Sequence, residues 1–377
     1  MTTPLPWVRS RGFGRLLAKE TNISDLLQFL SDRDSSPWSD LVGFIPAVVE
    51  REVFASNNAD LLLVAENGRR VVVEVKLGHD LGAKQRASYE KLPVETRLYL
   101  TALTVDTPRL TEGLASRWSF LSLAEVFAAW THIADDAART VAAQAAQILS
   151  EWDAEIAAVL RPHEETGAKP LAALNQKFLA RGLTRRIEFD LSARGLLAFA
   201  GVTSGGGLPL VQAWRPIRNE GNDRCFIAEV RWWDGKPGGE LRFGVDFEPR
   251  PGQPENEEVR RAAFDLACSM DSDIGFSAIR THLESENPRL AGLLDRKTMA
   301  PPTGKGDWEQ VILHGFTGAP LPGGKTNTRR STQPGFYGDG ALRFQAIVDI
   351  DFANACGQDV TELLDATLAY LAAKQPS

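Results

Sequence analysis

The chain has 377 residues, which suits two domains better than one, and 43% of its residues are hydrophobic while 24% are charged. This composition is typical of a globular protein, and no apolar run approaches the roughly 18–20 residues that a membrane span needs. The net charge of −7 argues against a protein that coats nucleic acid through bulk positive charge, although local basic clusters can still bind phosphates.

The cellular compartment is indicated by two features. The N-terminal segment lacks the positive start and the apolar stretch of a signal peptide. The three cysteines are far apart and odd in number, so they predict neither a disulfide framework nor a zinc site. We therefore expect a cytoplasmic protein. Three local basic clusters are candidates for phosphate contacts: Arg9, Arg11, Arg15 and Lys19; Arg181, Arg185 and Arg186; and Lys325, Arg329 and Arg330.

The first part of the chain reads as a mixture of helices and strands. Residues 23–31 are predicted to form a helix with Leu26, Leu27 and Leu30 on one face. The apolar stretch 41–54 fits either a helix or a strand. Asn67-Gly68 separates two short apolar runs and predicts a hairpin. The remaining predictions are strands at 60–64 and 71–76, a helix at 80–92, a strand at 97–103 and mostly helix over the alanine-rich residues 122–160.

The second part of the chain has a different texture. Residues 161–170 contain proline and glycine and are predicted to be a linker, which gives domains at 1–160 and 171–377. The second domain is predicted to be α+β, with a long loop at 315–340 that is rich in glycine, proline, threonine and serine. Its predicted strands are 185–191, 196–200, 209–214, 225–233, 240–247 and 343–352, and its predicted helices are 257–270, 275–285 and 358–374.

Charged residues in the 71–76 strand point to a chemical function. Side chains alternate along a strand, so Glu74 and Lys76 lie on the same face. Charges within a run of valines are unfavourable unless something compensates them. The ordinary interpretation of Glu-x-Lys alone is a surface cross-pair, and similar tripeptides occur at 234–236 and 295–297, where a turn and a helix end are expected. Glu74-Val75-Lys76 differs from those two tripeptides because it ends an apolar strand, and an aspartate, Asp60, begins the preceding strand of the predicted hairpin.

The register of the hairpin decides whether Asp60 joins Glu74. If Glu66-Asn67-Gly68 is a three-residue loop with its glycine in the left-handed conformation, Ala65 pairs with Arg69 and Asp60 lies opposite Glu74. A two-residue Asn-Gly turn would pair Asp60 with the residue after Glu74, on the other face, unless a bulge restored the register. We expect the first arrangement.

Two carboxylates and an ammonium group at a strand end suit metal-assisted hydrolysis of a phosphodiester. Asp60 and Glu74 supply hard oxygen ligands for Mg²⁺ or Mn²⁺, and a carbonyl near Val75 is a further expected ligand. A bound metal lowers the pKa of a ligated water and neutralises charge that develops on the phosphate. Lys76 would position the attacking water or stabilise the transition state as a point charge.

The helix that follows adds two polar residues on one face. Gln85 and Tyr89 are four residues apart. A half-buried tyrosine beside an amide is common, but behind a Glu-x-Lys strand the pair is similar to the Gln-x-x-x-Tyr element of one branch of the PD-(D/E)XK nucleases. Residues from about 20 to 103 resemble that superfamily, and the segment from Glu20 to Leu27 resembles the opening of a bacterial subgroup related to restriction enzymes and phage-defence effectors. Alanine replaces the proline that usually precedes the aspartate.

The resemblance implies a fold and roles for residues. It implies an α/β, restriction-endonuclease-like mixed central sheet flanked by helices, followed by the separate α+β C-terminal domain. The expected catalytic residues are Asp60, Glu74, Lys76, Gln85 and Tyr89, and the expected metal ligands are Asp60, Glu74, Val75 and Glu20. Glu50 or Glu52 fits the spacing of the first-helix glutamate as an alternative to Glu20. The expected substrate-binding residues are Arg11, Arg15, Lys84 and Arg86.

The resemblance also implies an activity. It predicts a magnesium- or manganese-dependent nuclease that acts on DNA, in bacterial defence against phage, as a homodimer or with an activating partner. A non-catalytic or activator-dependent nucleic-acid-binding protein on the same fold is the alternative. A third possibility is that the C-terminal half is the functional module, which would bind a peptide or nucleotide and have the nuclease as its output. His79 stands three residues after Lys76, where it could contact phosphate, although an exposed loop histidine is the simpler interpretation.

Overall fold

The chain separates into two compact units. The computed structural model describes residues 12–51, 59–79, 81–203, 207–217, 225–246, 257–296, 313, 330–331, 337–338 and 343–376. The first unit comprises the described residues within 8–158 together with 176–182, and the second comprises 159–175 and the described residues within 183–377. This division lies near the predicted linker at 161–170, but it returns residues 176–182 to the first unit.

The first unit is built on a mixed sheet that has five strands in the described part of the chain, in the order β1-β2-β3-β4-β5. The pairings of β1 with β2 and of β2 with β3 are antiparallel, whereas β3 with β4 and β4 with β5 are parallel. The strands are β1 (Val48–Glu50), β2 (Leu61–Val64), β3 (Arg70–Val75), β4 (Arg97–Ala102) and β5 (Trp118–Ser122). The helices are α1 (Phe13–Leu17), α2 (Glu20–Arg33), α3 (Trp38–Val42), α4 (Ala83–Glu90), α5 (Thr107–Thr111), α6 (Leu123–Ala128) and α7 (Asp136–Leu160).

The hairpin of β2 and β3 has the register that the sequence predicts. The pairs are Leu61 with Val73, Leu62 with Val72, Leu63 with Val71 and Val64 with Arg70. The Ala65 N–H donates to the Arg69 carbonyl at 2.9 Å, and the Gly68 N–H donates to the Ala65 carbonyl at 2.9 Å. Gly68 has a φ of 81°, a left-handed conformation that glycine adopts without steric penalty. Continuing the register by one residue brings Asp60 opposite Glu74.

Helix α4 packs on the face of the sheet that carries Glu74. Tyr89 is fully buried there and meets the Trp118 ring edge to face, with 5.7 Å between the ring centroids. The core on this face consists of Ala59, Leu62, Val72, Tyr89, Leu98, Leu100, Ala102, Leu110 and Trp118. Because α4 buries Tyr89 in this core, the polar groups of Tyr89 and Gln85 lie within hydrogen-bond distance of Glu74 near the end of β3.

Helix α2 places Glu20 at its first turn and packs against β1 and β3. Ile23, Leu27 and Leu30 are buried along one face, at the spacing that an amphipathic helix requires. The predicted helices at 23–31, 80–92 and 122–160 and the strand at 97–103 are confirmed with shifted ends, while β5 was not predicted. The stretch 41–54, which fitted either a helix or a strand, contains the last two residues of α3 and then β1. Residues 52–54 lie outside the described part of the chain.

The second unit is built on an antiparallel sheet. Its strand order over the described residues is β11-β12-β13-β9-β8-β7-β6, with β10 paired to β13. Helix α12 packs against β7 and β8. The strands are β6 (Leu197–Val202), β7 (Pro209–Pro216), β8 (Cys225–Trp232), β9 (Gly239–Asp246), β10 (Leu294–Asp295), β11 (Arg330–Ser331), β12 (Tyr337–Gly338) and β13 (Arg343–Ile350). The helices are α8 (Lys177–Ala193, which begins in the first unit), α9 (Glu257–Ser269), α10 (Phe276–Glu286), α11 (Pro288–Gly292) and α12 (Gly357–Lys374).

One predicted strand of this half is wrong. Most of the predicted strand 185–191 alternates between polar and apolar side chains, from Arg186 onward, but these residues lie inside α8. Leu179, Leu183, Ile187 and Leu191 are fully buried at intervals of four residues, which is a helical period. This short alternation fitted both periods, and the longer window from residue 177 resolves the ambiguity in favour of the helix.

Parts of the predicted organisation lie outside the described residues. They include Arg9, Arg11, Glu52, Lys325 and Arg329, and the predicted loop at 315–340 apart from β11 and β12. The other predicted strands and helices of the second half are confirmed within one or two residues at most ends. Within the described ranges, no helix combines the length and the apolar character needed to cross a membrane.

Candidate active site

The carboxylate of Glu74 is the centre of a buried polar cluster at the end of β3. Its exposed fraction is 2%, and both of its oxygens accept hydrogen bonds. The Lys76 ammonium donates to Oε1 at 2.5 Å, and the Gln85 amide donates to the same oxygen at 2.5 Å. The Tyr89 hydroxyl donates to Oε2. Four predicted site residues therefore meet at one carboxylate.

Asp60 joins this cluster from the start of β2. Its Oδ2 accepts a hydrogen bond from the Val75 N–H at 2.8 Å, while no described residue donates to Oδ1. Burial, together with the negative charge of Glu74, raises the pKa of Asp60 to about 7, although the Val75 N–H and the Lys76 charge act in the opposite direction. The site therefore disfavours two ionised carboxylates at once.

Lys76 remains a cation although its exposed fraction is only 6%. Burial alone would lower the pKa of its ammonium group. The negative charge of Glu74 and its hydrogen bond, with smaller contributions from Glu20 and Asp60, outweigh burial and raise this pKa above its ordinary value. Lys76 is thus a positive point charge held among carboxylates.

Helix α4 contributes the two neutral donors of the cluster. Gln85 and Tyr89 are separated by one helical turn, so both reach Glu74 from the same face of α4. Burial and the negative charge of Glu74 raise the pKa of the Tyr89 hydroxyl, which therefore stays neutral and continues to donate. These two residues fix the orientation of the Glu74 carboxylate.

Glu20 lies next to the cluster and binds the segment that follows Lys76. Its Oε1 accepts hydrogen bonds from the Leu77 N–H at 2.6 Å and from the His79 Nδ1 at 3.1 Å. Burial would raise the pKa of Glu20, but these two hydrogen bonds and the positive charge of Lys76 lower it. Of the predicted alternatives, Glu50 is an exposed residue of β1 and Glu52 lies outside the described residues.

Arg109 holds the segment after Lys76, and the sequence did not predict this role. Its guanidinium donates to the backbone carbonyl of His79 at 3.4 Å and pairs with Asp106 at 3.2 Å. Only 5% of the Arg109 side chain and 2% of the Asp106 side chain are exposed. No local pattern signals this contact, because 30 residues separate Arg109 from His79 along the chain.

The predicted substrate-binding residues have different fates. Arg11 lies outside the described residues, while Arg15 and Lys84 are exposed. Arg86 is half-buried, and its guanidinium pairs with Glu90, one turn later on α4, at 3.3 Å. A phosphate could therefore reach the charges of Arg15 and Lys84. Arg86 would have to leave Glu90 before it could bind a phosphate.

The carboxylates near Lys76 are the candidate ligands of a metal ion. Within the described ranges, no group of three or more histidine, cysteine, aspartate or glutamate side chains is arranged to hold a metal ion. Glu74 precedes Val75 in the chain and Asp60 accepts a hydrogen bond from the Val75 N–H, whereas Glu20 is engaged with Leu77 and His79. Mg²⁺ commonly binds through one or two carboxylates and completes its shell with water and substrate phosphates. Two carboxylates and a carbonyl are a donor set that fits this ion.

The Asp-x-Lys tripeptide at 234–236 offers an internal contrast. It lies in the turn between β8 and β9, where the Lys236 ammonium rests over the Trp233 ring at 5.0 Å from the centroid. The tripeptide pattern alone therefore does not create a charged cluster, and the hairpin partner and α4 are what distinguish Glu74-Val75-Lys76. Comparison of the chain with protein-family models, with curated proteins and with solved structures finds no significant match.

Proposed function

We propose that this chain is a metal-dependent nuclease that hydrolyses phosphodiester bonds, with Asp60, Glu74 and Lys76 at its active centre. The observation that carries the proposal is the convergence of these three side chains at the end of β3, where the hairpin brings Asp60 beside a buried Glu74–Lys76 ion pair. The mixed five-stranded sheet supports a restriction-endonuclease-like fold for the first unit.

The metal would be held by Asp60 and Glu74, with the Val75 carbonyl as a further ligand. Both carboxylates provide hard oxygens, and a divalent cation would offset the like charge that raises the pKa of Asp60. When bound, Mg²⁺ or Mn²⁺ supplies an acidified water and neutralises charge on the phosphate. Glu20 is better explained as a positioning residue for the segment after Lys76, because its Oε1 already accepts two hydrogen bonds.

The side chains around the carboxylates have separate roles in this proposal. Lys76 carries a permanent positive charge that would orient the attacking water and stabilise the negative charge of the pentavalent phosphate. Gln85 and Tyr89 each donate to Glu74 and keep its oxygens in place. Such preorganised charge contributes to catalysis because the side chains need no reorganisation when the reaction occurs.

DNA is the proposed substrate, and this choice rests on the resemblance to the PD-(D/E)XK nucleases. The same resemblance supports a role in defence against phage or other foreign DNA, and cutting as a homodimer or with an activating partner. A second candidate is an activator-dependent or purely binding protein on this fold. It is favoured by the complete pairing of both Glu74 oxygens with protein donors, since a metal would have to compete with Lys76 for this carboxylate.

The proposal is tested by cleavage assays on plasmid, linear duplex and single-stranded DNA and on RNA, with Mg²⁺, Mn²⁺ or EDTA. We expect metal-dependent cutting by the full chain, reduced on the order of 100- to 1000-fold in Asp60→Ala and in Lys76→Ala. Lys236→Ala is the matched control, because it removes a lysine from an Asp-x-Lys tripeptide in a turn, and it should cut normally.

Two other outcomes have distinct meanings. If the wild type neither cuts nor binds Mn²⁺, as measured by calorimetry against Asp60→Ala, the nuclease proposal is wrong and a metal-independent binding protein remains. If Mn²⁺ binds and the binding depends on Asp60, but no substrate is cut, the activator-dependent candidate replaces it.

A further inference from the structure

The three residues after Lys76 are held by polar contacts at both ends. The Leu77 N–H is bound by Glu20, and the carbonyl of His79 is bound by Arg109. Between them Gly78 has a φ of 73°, a left-handed conformation that glycine adopts without steric penalty. This segment therefore leaves the end of β3 along a defined path.

The imidazole of His79 is also held, although it faces solvent. Its Nδ1 lies 3.1 Å from Oε1 of Glu20, and 70% of the His79 side chain is exposed. The pKa of Glu20 is lowered, so this group is a carboxylate that accepts hydrogen bonds, and Nδ1 must carry the proton between them. The ring is thereby oriented, and no hydrogen bond joins Nε2 to a described residue.

Stability alone gives a poor account of this arrangement. An exposed ion pair contributes little to folding, since ordering its side chains offsets most of the attraction. Here Glu20, from the first turn of α2, holds the imidazole, and Arg109, from α5, holds the backbone carbonyl of the same residue. Glu20 also interacts with the charge of Lys76, and a solvent-facing imidazole held in this way suits a contact with an external ligand.

We propose that His79 binds a phosphate oxygen of the nucleic-acid substrate through Nε2, at a phosphate next to the one that is cut, with Glu20 as its positioning residue. This inference rests on the proposed nuclease function. When both ring nitrogens carry protons, Nδ1–H donates to Glu20 and Nε2–H donates to the phosphate. His79 would thus add an exposed phosphate contact to the buried charge of Lys76.

The first test is the salt dependence of binding. The full chain is titrated onto a fluorescent duplex in Ca²⁺ at roughly 50 to 200 mM NaCl. Over this range the slope of log K against log salt reports the number of phosphate contacts. His79→Ala should weaken binding about 10-fold at the lower salt and reduce the slope of log K against log salt by about 1, the value for one lost phosphate contact. His79→Lys should restore both, because it supplies a cation at the same position.

A matched histidine serves as the control. The His163 Nδ1 lies 3.1 Å from Glu164, and 40% of its side chain is exposed, so it has the same kind of partner. His163→Ala should leave the slope unchanged. Circular dichroism and thermal unfolding of His79→Ala should match those of the wild type, which separates loss of a contact from loss of the fold.

The second test locates the contact. Each phosphate near the cleavage position is replaced in turn by an uncharged methylphosphonate. At the phosphate bound by His79, the replacement should weaken binding of the wild type about 10-fold and leave His79→Ala unaffected, because the contact is already absent. Glu20→Gln, which keeps an acceptor but removes the charge, should show an intermediate loss at the same phosphate.

The outcomes separate the two proposals. If the wild type binds and cuts but His79→Ala keeps the wild-type slope and shows equal losses at every methylphosphonate, His79 is only a surface residue and the inference is wrong. If the wild type neither binds nor cuts, the nuclease proposal has failed and the inference fails with it.

Discussion

Two strands of this protein each carry a buried glutamate, and their surroundings differ. Glu74 on β3 and Glu229 on β8 are 2% and 0% exposed. Glu229 is bound by Gln212 on the neighbouring strand and by Arg231, whose guanidinium lies 2.7 Å away. Glu74 is bound by one cation, Lys76, and by two neutral donors from a helix.

The balance of charge separates the two clusters. Glu229 and the nearby Glu240 have described partners in two arginines, because Arg242 lies 2.5 Å from Glu240 and 4.0 Å from Glu229. In the candidate active site, Glu74 and Asp60 share one lysine, and the pKa of Asp60 is raised. A buried cluster with matched charges suits a structural role, whereas an excess of carboxylate suits a site that binds a cation.

The largest expected effect is on cleavage. Glu74→Gln should reduce metal-dependent cleavage by about 1000-fold, because one hard oxygen ligand is lost. The melting temperature should fall as well, because Lys76 loses the carboxylate of its buried ion pair. Cleavage rates and thermal unfolding are measured on the same preparations. Glu229→Gln is the control and should cut at the wild-type rate; equal activity of the two variants would remove the distinction between the clusters.

The antiparallel sheet should lose stability without any loss of cleavage when its buried glutamate is removed. Glu229→Ala leaves Arg231 and Gln212 without a carboxylate, and losing one member of a buried ion pair costs about 3–5 kcal/mol. Urea unfolding at neutral pH measures this loss. A decrease in the free energy of unfolding of under about 1 kcal/mol would show that the pair contributes no more than a surface salt bridge.

The predictable parts of the site are those encoded by neighbouring residues. Ala65 and Arg69 close a three-residue loop, so the position of Asp60 beside the Glu74 cluster follows from turn chemistry and strand alternation. Gln85 and Tyr89 follow from helical periodicity in the same way. In both cases the local pattern agrees with the tertiary packing.

The missed parts depend on contacts between distant residues or on ambiguous periods. The family resemblance placed Glu20 at the site as a metal ligand, but it did not predict the contact with Leu77. The two residues are 57 apart, and no local pattern reports that the N-terminus of α2 meets the segment after β3. The exposed position predicted for His79 was correct, but its orientation by Glu20 was not visible in the sequence. The helix at 185–191 was missed because a short alternating window fits two periods.

A smaller effect should appear in the pH dependence of stability without metal. The folded-state pKa of Asp60 is about 7, raised from 3.8, so protonated Asp60 is favoured in the folded protein and its ionisation opposes folding. This contribution is fully present below about pH 4 and is lost as the pH rises through 7. In EDTA, Asp60→Asn should therefore unfold several degrees above the wild type at pH 8.

The control for this prediction is the same comparison at low pH. Near pH 4 the melting temperatures of the two proteins should converge, because Asp60 is then protonated and resembles asparagine in charge. Excess Mg²⁺ at pH 8 should raise the melting temperature of the wild type more than that of Asp60→Asn, by mass action on the folded state. A difference that does not vary with pH would mean that Asp60 ionises freely in the folded protein.

The smallest effect concerns the orientation of Glu74. Tyr89→Phe removes the hydroxyl that donates to Oε2, and a hydrogen bond to a charged group contributes about 1.5–3 kcal/mol. We expect cleavage to fall about 10-fold, because Gln85 and Lys76 still hold Oε1 while Oε2 can turn away from the metal. Tyr370→Phe removes a hydroxyl that donates to the Asp273 carbonyl at 3.0 Å, so it should lower stability without changing cleavage. Equal cleavage by both variants would mean that Tyr89 supports the core beside Trp118 and does not orient the carboxylate.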